Sequence, residues 1–372
     1  MTRLHDLFDE QGQSPWLDNL RRGWLHDGEL ARWVEAGVRG ITSNPSIFQK
    51  AIEGSADYDE QFAALVAQNQ STETSYWELV VDDIRGALAL LRPVSEATDG
   101  LDGYVSVEVS PVLAHDTAGT MSAARHLDDL LDAPNLYVKI PGTIEGLPAI
   151  QQMIAEGRSI NVTLLFSCDR YDAVIEAYLA GLESFVASGA SRSAIAATSS
   201  VASFFISRVD TEVDRRLEAI GTQEALALRG RAAVANAQLA YQRFLDRFSG
   251  PRWDALAAAG ARVQRPLWAS TSTKNSAFPD TLYVDALIGP HSVNTIPDST
   301  LAAFVDHGTV ARTVDVDPSA AQTVFDQLAA VGIDFDDVAR VLEAEGVAAF
   351  VKSFDELLFA LDTKANELRA GA

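Results

Sequence analysis

The stretch NLYVKIPGTIEGLPAIQQMIAEGRSINVTLLF, residues 135–166, holds two short apolar runs, NLYVKI at 135–140 and RSINVTLLF at 158–166, around an amphipathic segment of helical length. A strand, a helix and a strand in that order predict parallel strands joined by a helical crossover. The pattern continues in both directions. Upstream lie PWLD at 15–18, VRGIT at 38–42 and YVSVEV at 104–109; downstream lie AIAATSSVA at 194–202, RPLWAS at 265–270 and HSVNTI at 291–296. Eight runs are what a closed (β/α)8 barrel requires, and 372 residues fall within the size such a barrel reaches as one domain. No linker or low-complexity stretch marks a boundary. The expectation is an α/β chain forming a single TIM barrel over residues 1–372, with additional helices.

The helical segments carry their own signals. Over 73–92, Trp77, Val80, Val81, Ile84, Ala87, Leu88 and Leu91 fall on one face at helical spacing, and Pro93 predicts the end of that helix. Asp317-Pro318 supplies an N-cap and a first-turn proline, with Gly332 as the stop. Residues 207–249 read as a helical pair broken near Gly221. From 335 to about 368 the pattern predicts C-terminal helices packed outside the barrel.

Composition narrows the function classes. With 29 basic and 52 acidic residues the net charge is -23, a surface that repels nucleic acid and anionic membrane. A phosphate site would have to be a local cationic cluster working against that field. The single cysteine, Cys168, excludes a disulfide framework within the chain and a multi-thiolate metal site; it is read as a packing residue. The N-terminus MTRLHDLFDEQGQSP lacks the apolar core of a secretory signal, and no run approaches the roughly 18 apolar residues of a membrane span, so a cytoplasmic location is the expectation. The six histidines show no metal-ligand spacing, and GxSxG, Walker A and GxGxxG motifs are absent. The sequence sets no oligomeric state.

In an enzyme barrel the chemistry sits where strands end. The polar residues late in each run are Asp18, Thr42 and Asn44, Ser106 and Glu108, Lys139, Asn161 and Thr163, Ser203, Ser270, and Asn294. Strand alternation groups several of them. Val105, Val107 and Val109 share one face, which leaves Ser106 and Glu108 on the other; Lys139 points with Tyr137, and Asn161 with Thr163. Fully buried parallel strands read as unbroken apolar runs, so these polar positions require a reason.

Lys139 is the sharpest of them. The chain has five lysines (Lys50, Lys139, Lys274, Lys352 and Lys364) against 24 arginines. A desolvated lysine becomes a nucleophilic amine, which a guanidinium does not. An edge strand facing water, or a snorkelling side chain, is the plainer account of the same lysine taken alone. Asp18 and Glu108, taken singly, also read as a helix cap or a structural ion pair. Together with a lysine they supply the proton donor and acceptor that carbonyl–amine chemistry needs.

These residues coincide with the motifs of a known family. GITSNPSIF at 40–48 resembles one signature of the transaldolases, and LYVKIPGTIEGLPAI at 136–150 resembles the other, which surrounds a Schiff-base lysine. NVTLLFS at 161–167, the S-x-F-x-x-R spacing of Ser203, Phe205 and Arg208, and LEAEGVAAFVKSFDELL at 342–358 are similar to further stretches of that family, in its longer bacterial and plant form. The resemblance implies a dihydroxyacetone transfer from sedoheptulose 7-phosphate to glyceraldehyde 3-phosphate, with sugar phosphates as partners and neither cofactor nor metal. It further implies Lys139 as the Schiff-base amine, Asp18 as acid/base, and Glu108 with Thr163 handling a water. Asn44, Asn161 and Ser203 would hold substrate hydroxyls, with Arg208 on phosphate. The chain departs from the family at ASTSTKN, 269–275, where Ser270 and Lys274 stand in a stretch that in many members carries a phosphate-binding arginine; Lys274 keeps the charge without the fork. Two other readings stay open: a lysine aldolase with no obligatory acceptor, and a non-catalytic sugar-phosphate-binding barrel.

Overall fold

Each of the eight apolar runs contributes a strand. In the computed structural model, which describes residues 1–371, these are β1 Gln13–Leu17, β2 Ile41–Thr42, β3 Val105–Glu108, β4 Leu136–Pro141, β5 Ile160–Leu165, β6 Ser200–Phe205, β7 Arg265–Ala269 and β8 Ser292–Ile296. Every neighbouring pair is parallel, and β1 closes the barrel by running alongside β8 from Gln13↔Ser292 to Leu17↔Ile296. Among the described residues no helix is long and apolar enough to cross a membrane.

The barrel interior is filled in tiers, and the lower two explain why chemistry is confined to the top. At the floor, the fully buried Asp102 accepts hydrogen bonds from Ser14 Oγ (2.7 Å), Trp16 Nε1 (3.1 Å), Arg39 Nε (2.8 Å) and Arg265 (3.0 Å). Burial opposes its charge, but Arg265 and Arg39 hold its carboxyl below the usual carboxylate range. Above this lies an aromatic plug. Tyr104 and Tyr137 stack at 4.0 Å, and Trp16 lies 6.1 Å from Tyr137. Each such ring, fully buried, contributes roughly 1.5–3 kcal/mol of apolar transfer. A Cβ at Gly40 would sit 2.5 Å from the Trp16 ring, so the chain there must be glycine.

Three boundaries differ from the sequence expectation. The helix expected to end at Pro93 continues as Thr72–Ala97 with the proline inside, because Leu88, Leu91 and Ser95 stay on its buried face across the break. Packing there outweighs the proline penalty of about 3 kcal/mol. The run at 194–202 begins as a helix, Arg192–Ala197, capped by Ser191 Oγ accepting from the Ala194 amide; only from Ser200 does it enter β6. The C-terminal region packs outside the barrel as one helix, Phe335–Gly371, which lies across the carboxyl ends of the strands, touching β5 and the Pro45–Glu53 helix. The remaining helical expectations hold: Asp317 caps Pro318–Ala330, and Gly221 ends Ser207–Ile220 ahead of Ala232–Arg247.

Candidate active site

The top tier is assembled by register. Glu108 on β3 stands opposite Lys139 on β4, which in turn stands opposite Asn161 on β5. Alternation turns all three toward the axis, one step above Ser106 and Tyr137. Lys139 Nζ lies 3.1 Å from Glu108 Oε2 and donates to the Ser43 carbonyl at 3.2 Å. Both side chains are at most 5 % exposed, so the ammonium is no edge-strand group facing water. Burial raises the Glu108 carboxyl above its ordinary range; the charge of Lys139 opposes this and that of Asp18 adds to it.

A cavity of about 350 Å³ opens above this tier. Of the residues to which the resemblance gives a role, all line it except Glu108 and Asn161, which are buried beside Lys139; Ser106 and Asn294 do not line it either. Asn161 is a relay: its Nδ2 donates to Ser106 Oγ (3.0 Å) and its Oδ1 accepts from Ser203 Oγ (2.7 Å), which fixes how Ser203 meets the cavity. Asp18, just past β1, accepts from Thr42 Oγ1 at 2.7 Å. Burial lifts its carboxyl above the ordinary range against the Thr42 bond and the Lys139 charge. It is therefore disposed to exchange a proton rather than remain a fixed anion.

Thr163 is held by an irregular backbone. Leu164, the next residue, has φ 61°, and the β5–β6 register slips between Val162 and Leu165. Such a left-handed non-glycine residue persists only where its surroundings enforce it. Thr163 Oγ1 and Glu108 Oε1 are buried with no hydrogen-bond partner in the protein, and Glu108 Oε2 meets only Lys139 Nζ, which leaves acceptor and donor capacity for a water or a substrate hydroxyl. Ser270 is a second such residue, with φ 56° and its Oγ 2.9 Å from Ser207 Oγ. Asn44 does two jobs. Its Oδ1 accepts from the Ile47 amide (3.0 Å) as the cap of the Pro45–Glu53 helix, while the residue still lines the cavity.

At the mouth the charge is inverted relative to the chain. Arg21, Lys50, Arg208 and Lys274 all border the cavity. Among the described residues Arg208 has no carboxylate within ion-pair reach. Its guanidinium carbon instead lies 5.2 Å from the Phe205 ring and 5.9 Å from that of Phe350, on the C-terminal helix. Burial lowers its proton affinity, opposed by Asp18. A Cβ at Gly346, one turn before Phe350, would stand 2.9 Å from Leu164 Cδ2 and 3.6 Å from Arg208 Nη1, so this glycine lets the helix close over the arginine.

Sequence reasoning misassigned one strand end and missed several residues. On β8 it is Thr295 that lines the cavity, 2.5 Å from Thr42 Oγ1, whereas Asn294 turns outward and accepts from Thr271 Oγ1. Polar residues occupy both faces of SVNTI, and only the pairing of Thr295 with Trp16 decides which face is inside. Lys50, Phe350 and Asp298 also line the site. Lys50 carried a signal in the scarcity of lysine; Phe350 carried none without the path of the last helix. Cys168 is a half-buried residue whose thiol burial pushes up to about 12, far from a reactive thiolate.

Comparison with known proteins bears on the same arrangement. Residues 15–361 match a family model described as transaldolase/fructose-6-phosphate aldolase. The chain is 51 % identical to a transaldolase of Thermobifida fusca over 369 residues, covering 99 % of this chain and 98 % of that one. It is 51 % identical over 360 residues to a transaldolase of Acidothermus cellulolyticus (96 % of each), and 50 % identical over 350 residues to one of Mycobacterium tuberculosis (93 % of each). A barrel with a buried lysine–carboxylate pair at its catalytic end, matched along nearly its whole length, belongs to the transaldolase/fructose-6-phosphate aldolase family.

Proposed function

We propose that this chain, acting as one domain, transfers a dihydroxyacetone unit from sedoheptulose 7-phosphate to glyceraldehyde 3-phosphate through a Schiff base on Lys139. The observation that supports this most is the buried Lys139 amine, 3.1 Å from Glu108 and beneath a cavity that also holds Asp18. The Lys139 amine adds to the C2 carbonyl, and the carbinolamine loses water with Glu108 and Thr163 moving its proton. The unpartnered Thr163 Oγ1 and Glu108 Oε1 fit that role. The resulting iminium is an electron sink at C2.

Asp18, whose carboxyl burial holds above the ordinary carboxylate range, takes the C4 hydroxyl proton as the C3–C4 bond breaks. Erythrose 4-phosphate leaves and the bonding pair is held as an enamine. The enamine carbon then attacks the aldehyde of glyceraldehyde 3-phosphate, Asp18 returns the proton to the new hydroxyl, and hydrolysis frees fructose 6-phosphate. Asn44 and Ser203, with Asn161 behind Ser203, hold the hydroxyls of the three-carbon unit, and Arg208 holds phosphate from its seat between Phe205 and Phe350.

The acceptor requirement is the test. With fructose 6-phosphate alone, free dihydroxyacetone should be released at well under the transfer rate, and erythrose 4-phosphate should restore turnover. Equal release with and without an aldehyde acceptor would replace this reading with a simple aldolase. Ligand binding with no turnover under either condition would replace it with a binding protein.

A further inference from the structure

Of the five lysines, three face a carboxylate: Lys139 faces Glu108, Lys352 faces Glu356 and Lys364 faces Asp59. Among the described residues Lys50 and Lys274 have no carboxylate partner, and both line the catalytic cavity. In a chain with 52 acids to 29 bases, acids are available to pair almost any cation, and most arginines here have one, as Arg125, Arg252 and Arg340 do. Two lysines and the equally unpaired Arg208 around one opening therefore call for a ligand-based account.

Lys50 reaches the opening through the Pro45–Glu53 helix. Asn44 caps that helix, and Asn44, Ile47 and Lys50, three residues apart, lie along one face and all border the cavity. The helix is tied at the mouth by Ser46, whose Oγ is 2.7 Å from Ser353 Oγ of the C-terminal helix, so the backbone that carries Lys50 is held at the opening by two elements. The three cations share one field: burial, then Arg208, then Lys50 depress the proton affinity of Lys274. Asp18 and Asp298 are the carboxylates lining the cavity, and neither forms an ion pair with Lys50.

We infer that Lys50 is a specificity-determining residue that binds the phosphate monoester of the sugar substrate, completing a three-cation cradle with Arg208 and Lys274. The inference rests on the sugar-phosphate reading above. An ammonium at position 274 gives point charge but no fork; a second ammonium supplies donors in place of that fork and offsets the carboxylates of Asp18 and Asp298 that line the same cavity. The mutual repulsion of three cations is relieved only when the dianion arrives, which ties affinity to the phosphate rather than to the sugar carbons.

The test titrates inorganic phosphate calorimetrically, at low ionic strength, into the intact protein, Lys50→Gln, Lys50→Arg and the control Lys352→Gln. KM and kcat for fructose 6-phosphate with erythrose 4-phosphate are measured alongside. Lys50→Gln should weaken phosphate about five- to tenfold and raise KM by a similar factor, with kcat within about twofold; Lys50→Arg should recover most of the loss. The control should bind phosphate like the unmodified protein. Phosphate binding by Lys50→Gln equal to that of the unmodified protein overturns the inference, as does a fall in kcat with KM unchanged. The calorimetry does not depend on turnover, so a protein that binds phosphate through Lys50 but transfers no carbon unit would overturn the proposed function alone.

Discussion

Replacing Lys139 with methionine removes the cation from a buried pair and leaves Glu108 without its counter-charge. At 3.1 Å and an effective dielectric near 20, Coulomb's law gives about 5 kcal/mol for the pair. Removing one member of such a pair in other proteins costs roughly 3–5 kcal/mol. The loss is pH-dependent, and its sign follows from Glu108. Burial already holds that carboxyl above its ordinary value, and removing Lys139 raises it further. A folded value above the unfolded one means stability intact below the unfolded value and lost as pH rises through the folded one. Asp18, also raised and also relieved by Lys139, shifts the same way. The deficit of Lys139→Met in urea unfolding should therefore be about 3–5 kcal/mol at pH 8.5 and well under half of that at pH 5.5. Lys139→Met/Glu108→Gln, in which no charge is stranded, should come within about 1.5 kcal/mol of the unmodified protein at both pH values. A single-variant deficit that is the same at pH 5.5 and 8.5, or a double variant no more stable than the single, would refute the buried pair.

Phe350→Ala removes one of the two rings that seat Arg208, and the lost cation–π contact predicts a KM for fructose 6-phosphate raised about three- to tenfold with a smaller change in kcat; an unchanged KM would mean that Phe205 alone holds the arginine. Asp210 accepts from the Ala233 amide and from Tyr283, and burial raises its carboxyl to about 6. Its contribution is full below pH about 4 and lost as pH rises through 6, a decline of roughly 2–3 kcal/mol that Asp210→Asn should flatten in urea unfolding measured between pH 4 and 7. Asp102→Ala leaves Arg39 and Arg265 facing one another at the barrel floor and should cost at least about 3–5 kcal/mol, read as a lowered urea midpoint, with Asp102→Asn intermediate.

The barrel was legible because parallel strands buried on both faces must be written as short apolar runs, and turn and helix signals separate all eight. What was not legible lies where packing overrides local preference. Pro93 stays inside its helix because Leu91 before it and Ser95 beyond it both remain buried, and Ala194–Ala197 is helical because Ser191 caps it. The catalytic layer was readable in β3, β4 and β5 because valines and isoleucines mark one face and leave Glu108, Lys139, Asn161 and Thr163 on the other. In β8 the pattern is polar on both faces, and Thr295 was hidden behind Asn294. The mouth was least readable. Lys50 and Phe350 come from helices, and nothing in a helix's own sequence says that it bends over a barrel's open end.

The most direct test is chemical. Borohydride reduction in the presence of fructose 6-phosphate, followed by intact-mass and peptide analysis, should fix a three-carbon adduct on Lys139 and should leave Lys139→Arg unlabelled. Absence of an adduct, or an adduct on Lys50 or Lys274 instead, would contradict the account of this site.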